Sequence, residues 1–165
     1  VGCGHIGKDL IQLLRPFNCN ILVHDILDFK EFYKKNDVTP VSLEQLIQKS
    51  DVVTLHLPLD DSTKNIMNQD RLRMLKKNSI LINLARGGLV DEAALEKLLL
   101  ENKIAGAALD VFAIEPPVNT RFALMDNVLV TPHIGGSTEE AILAMGMAAI
   151  DGLSNPKDSL EFKNI

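Results

Sequence analysis

The chain has 165 residues and a formal net charge of −5, from 17 Lys plus Arg against 22 Asp plus Glu; this balance argues against a nucleic-acid partner, which would be clamped by clustered cations. The length allows one core of ordinary size but not a nucleotide domain plus a separate second domain, and 46% hydrophobic with 24% charged residues describes a folded chain rather than a disordered one. No apolar run approaches the ~18 residues of a membrane span, no signal-peptide pattern opens the chain, and two cysteines, Cys3 and Cys19, are too few for a disulfide framework or a zinc site. The expectation is a cytoplasmic protein with no membrane partner and no metal.

In chain order, Ile6, Leu10, Ile11, Leu13 and Leu14 recur at helical spacing and Pro16 marks the end of that helix. Asn20 to Asp25 is a short apolar run closed by an acid, the pattern of a buried parallel strand whose carboxyl end meets a ligand. Ser42 caps a short helix bearing Leu43, Leu46 and Ile47, and Asp51 to Leu57 forms the next strand. There follow a helix over Asn68–Lys76, a strand over Ser79–Leu84, a helix over Asp91–Asn102, strands over Ile104–Val111 and Asn127–Thr131, and a last helix from Ser137. Strands alternating with helices predict an α/β fold with a doubly wound parallel sheet, in which ligands bind beyond the carboxyl ends of the strands. The strand that should feed the opening glycines is cut short at Val1, so the central first strand is expected to be truncated and the chain to be a segment of a longer one.

Gly2-Cys3-Gly4-His5-Ile6-Gly7 fits G-x-G-x-x-G. In that pattern the first glycine makes a tight turn, the second admits a pyrophosphate to the backbone, and the third lets helix and strand pack closely. The helix N-terminus then carries the phosphates on its N–H groups, so His5 and Ile6 contribute by backbone. Asp25, 18 residues after Gly7, is placed to accept hydrogen bonds from the adenosine ribose. A carboxylate there repels a 2′-phosphate, and no cation follows until Lys30, so NAD is expected over NADP.

The remaining polar residues group after strands: Asn83 through Glu92, Gly106 through Phe112, Glu115-Pro116, and Thr131 through Thr138. These motifs, in this order, resemble the family of D-isomer-specific 2-hydroxyacid dehydrogenases from Gly2 to Thr138. The run Pro132 to Ala141 is most similar to the phosphoglycerate dehydrogenase branch. Arg121-Phe122-Ala123 departs from the proline that many relatives carry before the leucine.

The resemblance implies a Rossmann-type NAD-binding domain over residues 1–154, with 155–165 starting the return to a substrate domain, and hydride transfer between nicotinamide and C2 of a 2-hydroxy or 2-keto acid. It implies Arg86, Glu115 and His133 as the catalytic set. His133 would exchange the hydroxyl proton, Glu115 would hold the imidazole, and Arg86 would offer a planar fork to the substrate carboxylate. Cofactor contacts would come from Gly2, Gly4, His5, Ile6, Gly7, Asp25, Leu57, Pro58, Leu84, Ala85, Arg86, Asp110, His133, Gly135 and Gly136, with Asp110 near the carboxamide. Relatives dimerise through this domain, and Ile142, Leu143, Met145, Met147 and Ile150 give the final helix an apolar face suited to a homodimer or larger assembly. Two rival functions share the fold. One is an NAD(H)-sensing binding protein that keeps the same three residues; the other is a formate dehydrogenase, in which glutamine replaces the acid beside histidine, so that Glu115 counts against it.

Overall fold

The structure, a computed structural model, describes residues 1–117 and 121–156. The chain divides into two compact units, Val1–Thr131 and Pro132–Ile165.

In the first unit, α1 (His5–Leu14) leads into β1 (Ile21–Val23), α2 (Lys30–Asn36), β2 (Val38–Pro40), α3 (Leu43–Lys49) and β3 (Val52–Leu55). Then come α4 (Gln69–Arg73), β4 (Ile80–Asn83), α5 (Glu92–Leu100), β5 (Gly106–Leu109), a 3-10 turn at Arg121–Leu124, and β6 (Val128–Val130). All pairings are parallel: β1 with β2 in one sheet, and β3-β4-β5-β6 in the other. Val1 and Gly2 lie between the two sheets. The Val1 amine donates to the Thr54 carbonyl and the His56 N–H to the Val1 carbonyl, both at 2.8 Å, while the Gly2 N–H donates to the His24 carbonyl at 2.8 Å on the other side. These two residues thus take the central place in a doubly wound order.

Strand alternation explains the layers. Val53, Leu55, Leu81 and Leu109 are essentially closed to solvent and pack against Leu46 and Ile47 of α3, Leu72 of α4, and Leu95 and Leu99 of α5. The neighbouring Val52 and Ile80, turned to the opposite face, are 52% and 40% exposed. A second cluster joins Ile11 of α1, Val23 of β1, Tyr33 of α2 and Val38 of β2 around Cys3. Leu22, between Ile21 and Val23, packs against the first cluster instead, so β1 is covered on both faces.

Two elements escape the sequence reading, α2 and β2. Lys30–Asn36 carries only Tyr33 as a buried residue, too few for a helical stripe, and Val38–Pro40 ends in a residue that argues against a strand. Here the pairing with β1 carries on past Pro40, where the Val41 N–H donates to the Val23 carbonyl at 2.9 Å. The predicted strands over 20–25, 51–57 and 104–111 and the helix over 68–76 are also longer than the observed β1, β3, β5 and α4. Some of their outer residues still bond to a neighbouring strand, as when the Ile80 N–H donates to the Asp51 carbonyl and the Asp110 N–H to the Asn83 carbonyl, but regular strand pairing stops before them. Arg121–Leu124 forms a 3-10 turn that buries Phe122.

The second unit contains α6 (Glu139–Ser154), capped by the Thr138 hydroxyl, which accepts the Ala141 N–H at 3.2 Å. Glu139 and Glu140 occupy its first turn, where negative charge complements the helix dipole. None of its residues is buried: Leu143 is 67% exposed and Leu153 85%. The expected return beyond residue 156 lies outside the described residues.

Candidate functional site

The glycine turn has the geometry its pattern demands. Gly2 sits at φ +92°, a conformation costly for any residue with a Cβ, and a Cβ there would also run into the His56 carbonyl. A Cβ on Gly7 would run into the Gly2 carbonyl, so this third glycine is the contact between α1 and the turn. Gly4 has nothing within 4 Å of where its Cβ would stand. It is the N-cap of α1 and supplies no side-chain cap, and His5 and Ile6 beside it are exposed. The first turn of α1 therefore faces open space with its N–H dipoles, as an anion site requires.

Asp25 ties that turn to the end of β1. Its Oδ2 accepts the Cys3 N–H at 2.6 Å and its Oδ1 accepts the Leu27 N–H at 2.8 Å. A cavity of about 240 Å³ opens beside it, lined by Ile26, Leu27, Tyr33, Pro40 and Val41 among others. Ile26 is 95% exposed at its edge. Lys30 also lines this cavity and pairs with Asp28 at 3.2 Å.

Beyond β3, His56 is half-buried with its Nε2 3.1 Å from the Thr54 hydroxyl. Burial pushes its pKa down to about 4, so the ring is neutral at physiological pH. Leu57 packs partly against the core, and the Pro58 carbonyl accepts the Thr63 hydroxyl at 2.7 Å.

Beyond β4, the buried Asn83 side chain folds the following loop around itself. Its Nδ2 donates to the Arg86 carbonyl at 2.9 Å and its Oδ1 accepts the Ala85 N–H at 3.1 Å. The loop holds Leu84 and Arg86 exposed; the Arg86 guanidinium donates to the Ala85 carbonyl at 2.6 Å. Asp91 and Glu92, the acids nearest in sequence, are engaged elsewhere: Asp91 caps α5 through the Ala94 N–H, and Glu92 accepts the Ala113 N–H at 2.6 Å. A Cβ on Gly87 would strike the Phe112 carbonyl, so the loops after β4 and β5 are in direct backbone contact.

Beyond β5, Asp110 is 1% exposed and its Oδ1 accepts the Thr131 hydroxyl at 2.5 Å. Glu115 turns back to accept the Phe112 N–H at 2.9 Å. Glu92 holds the same loop from below, and its carboxyl is shifted up, chiefly by burial, against the Ala113 hydrogen bond and with the charge of Glu115 nearby.

The first unit thus gathers Gly2, Gly4, His5, Ile6, Gly7, Asp25, Leu57, Pro58, Leu84, Ala85, Arg86, Asp110 and Glu115 along the carboxyl ends of its strands. His133, Gly135 and Gly136 belong to the second unit. There His133 is exposed at φ 55°, and the Ser137 N–H donates to the Ile134 carbonyl at 2.9 Å. Among the described residues no group of three or more His, Cys, Asp or Glu could hold a metal ion, and no helix is long and apolar enough to cross a membrane. Asn83, Glu92 and Thr131, which organise the site, were not singled out by sequence reasoning. For Asn83 and Thr131 the signal is a polar residue at or just after the end of a strand, whereas Glu92 opens α5 and its spacing carries no such signal.

An uncapped helix start, a glycine turn and an acid at the next strand end together fit a dinucleotide lying across the crevice. Residues 1–135 match the family described as D-isomer specific 2-hydroxyacid dehydrogenase, NAD binding domain, and the chain belongs to that family. NAD is accordingly its cofactor. The chain is 42% identical over 147 residues to D-3-phosphoglycerate dehydrogenase of Methanocaldococcus jannaschii, covering 88% of this chain and 28% of that protein. It is 43% identical over 157 residues to glyoxylate reductase of Thermofilum pendens, covering 93% of this chain and 46% of that one. The NAD-complexed D-isomer specific 2-hydroxyacid dehydrogenase of Lactobacillus delbrueckii ssp. bulgaricus superposes with a TM-score of 0.84 at 31% identity, covering 96% of this chain and 54% of that one. The chain therefore spans less than half the length of these curated relatives.

Proposed function

We propose that this chain is the NAD-binding part of an oxidoreductase that transfers a hydride between nicotinamide and C2 of a D-2-hydroxy acid or its 2-keto acid, with 3-phosphoglycerate the first substrate to test. The observation that carries this reading is the convergence of Arg86, Asp110 and Glu115 on the same strand ends as the glycine turn. Bound NAD supplies the hydride acceptor. The protein's task is then to bind an acid, orient it and move one proton.

Arg86, exposed on a loop pinned by Asn83, is the group for the substrate carboxylate, and its charge polarises the neighbouring carbonyl. In this reading His133 takes the hydroxyl proton in oxidation and returns it in reduction, and Glu115 is the third member of the catalytic set. Residues 1–154 constitute the NAD-binding domain in this reading, and the protein works in the cytoplasm as a homodimer or larger assembly.

A panel of 2-keto acids with NADH, and of 2-hydroxy acids with NAD, tests the activity on the full protein. Turnover with opposite pH dependence in the two directions is expected, since reduction needs imidazolium and oxidation needs neutral imidazole. Ligand-dependent oligomerisation without turnover would instead indicate a sensor. Arg86→Lys should raise KM for the acid by tenfold or so, because an ammonium cannot reproduce two parallel hydrogen bonds.

A further inference from the structure

Leu109 of β5 is in register with Val130 of β6, so the residues that follow them, Asp110 and Thr131, face each other as the two strands leave the sheet. Leu109 points into the core formed with α3, α4 and α5, and alternation turns Asp110 to the other side. Both residues are held by backbone bonds: the Asp110 N–H donates to the Asn83 carbonyl at 3.1 Å, and the Thr131 N–H donates to the Leu109 carbonyl at 3.0 Å. On this frame the Thr131 hydroxyl donates to Asp110 Oδ1 at 2.5 Å.

In a doubly wound sheet the two halves of a dinucleotide lie on either side of the switch point, which here falls at Val1 and Gly2. Asp25 stands on the β1 side and marks the adenosine half, leaving the ends of β3 to β6 to the nicotinamide half. A carboxylate at that end can accept the carboxamide N–H or offset a pyridinium charge only if its plane is fixed. With 1% exposure, Asp110 depends on the protein rather than on water to fix it.

We propose that Thr131 is a positioning residue for nicotinamide recognition: its hydroxyl anchors one oxygen of Asp110 and thereby sets the direction in which the carboxylate meets the nicotinamide. The proposal rests on the reading of Asp110 as a nicotinamide-side group and goes beyond it in assigning the residue that orients it. Thr131→Val keeps the shape of the side chain and removes the donor; Thr131→Ser keeps the donor and removes the methyl.

The test is titration of NAD, NADH and ADP-ribose, which lacks nicotinamide, into the full chain and its variants, followed calorimetrically. Thr131→Val is expected to weaken NAD and NADH by about tenfold, as for one lost hydrogen bond to a charged group, while ADP-ribose changes less than about twofold. Thr131→Ser should restore the parent affinities. Equal losses for all three ligands would mean that Thr131 only supports the fold, and no loss for any would mean that its bond is idle; either result overturns the proposal. Asp110→Asn separates the two levels. If it leaves the ratio of NAD to ADP-ribose affinity unchanged, the placement of Asp110 fails, and the role of Thr131 with it. If Asp110→Asn changes that ratio and Thr131→Val does not, only the positioning role fails.

Discussion

At the scale of single residues, the proposed choice of NAD over NADP rests on Asp25. Its two oxygens already accept the Cys3 and Leu27 N–H groups, which hold the carboxylate at the mouth of the β1 cavity, where a ribose can add its hydroxyls and a 2′-phosphate would meet like charge. Asp25→Ala should weaken NAD by about 1–3 kcal/mol and narrow the gap between NAD and NADP. Affinities measured for both dinucleotides check this, and parity between them in the unmutated protein would refute it. His56 bears instead on stability. It is kept neutral in the fold down to about pH 4, whereas the unfolded chain takes up a proton near the ordinary value of 6.5. Its contribution is thus present above pH 6.5 and is lost as pH falls through about 4. Urea denaturation at pH 7.5 and 4.5 should show a steeper loss in the parent than in His56→Gln. Parallel losses would remove His56 from the account.

At the scale of elements, the glycine turn and α1 separate two requirements that the motif merges. Gly7 is needed by the fold, because a Cβ would meet the Gly2 carbonyl; Gly4 is not, because its side is open. Gly7→Ala is expected to cost about 1–3 kcal/mol of stability as well as dinucleotide affinity. Gly4→Ala should stay within about 1 kcal/mol of the parent in stability and still impair NAD binding, by crowding the pyrophosphate at the helix start. Paired denaturation and NAD titrations decide between these outcomes; equal destabilisation by both would show that the turn is purely structural. In α3 the local code is complete, since Ser42 and Gln45 exchange both bonds of a capping box and Leu43, Leu46 and Ile47 form one buried stripe. That is why a seven-residue helix was readable from sequence whereas α2, with one buried residue and no side-chain cap, was not.

At the scale of the whole molecule, apolar surface remains to be covered. In the first unit Val52, Ile80 and Leu129 line the uncovered face of the β3–β6 sheet, the last at 66% exposure. In the second, α6 presents Ile142, Leu143, Met145, Met147 and Ile150, all more than half exposed. Such surfaces seldom stay open to water. The expected outcome at micromolar concentration is a dimer or larger species in sizing and light scattering of the full protein, and a monomer would contradict it.

What the sequence determined by itself was whatever lies within one strand and its following turn: the order of alternating elements apart from α2 and β2, the glycine turn, Asp25 just after β1, and the residue types Arg86, Glu115 and His133 in their motifs. Each is written in the spacing of near neighbours, because a turn needs its glycines and a buried strand its apolar run at fixed offsets. Only the tertiary structure decided how separate strand ends meet. It set Asp110 opposite Thr131, wrapped the Arg86 loop around the Asn83 amide, brought Glu92 under the loop of Glu115, and placed Val1 and Gly2 between two sheets. These contacts depend on which strands are neighbours and in which register. A run of apolar residues is compatible with several neighbours and registers, so its sequence leaves the partner of each polar end unstated until the sheet forms.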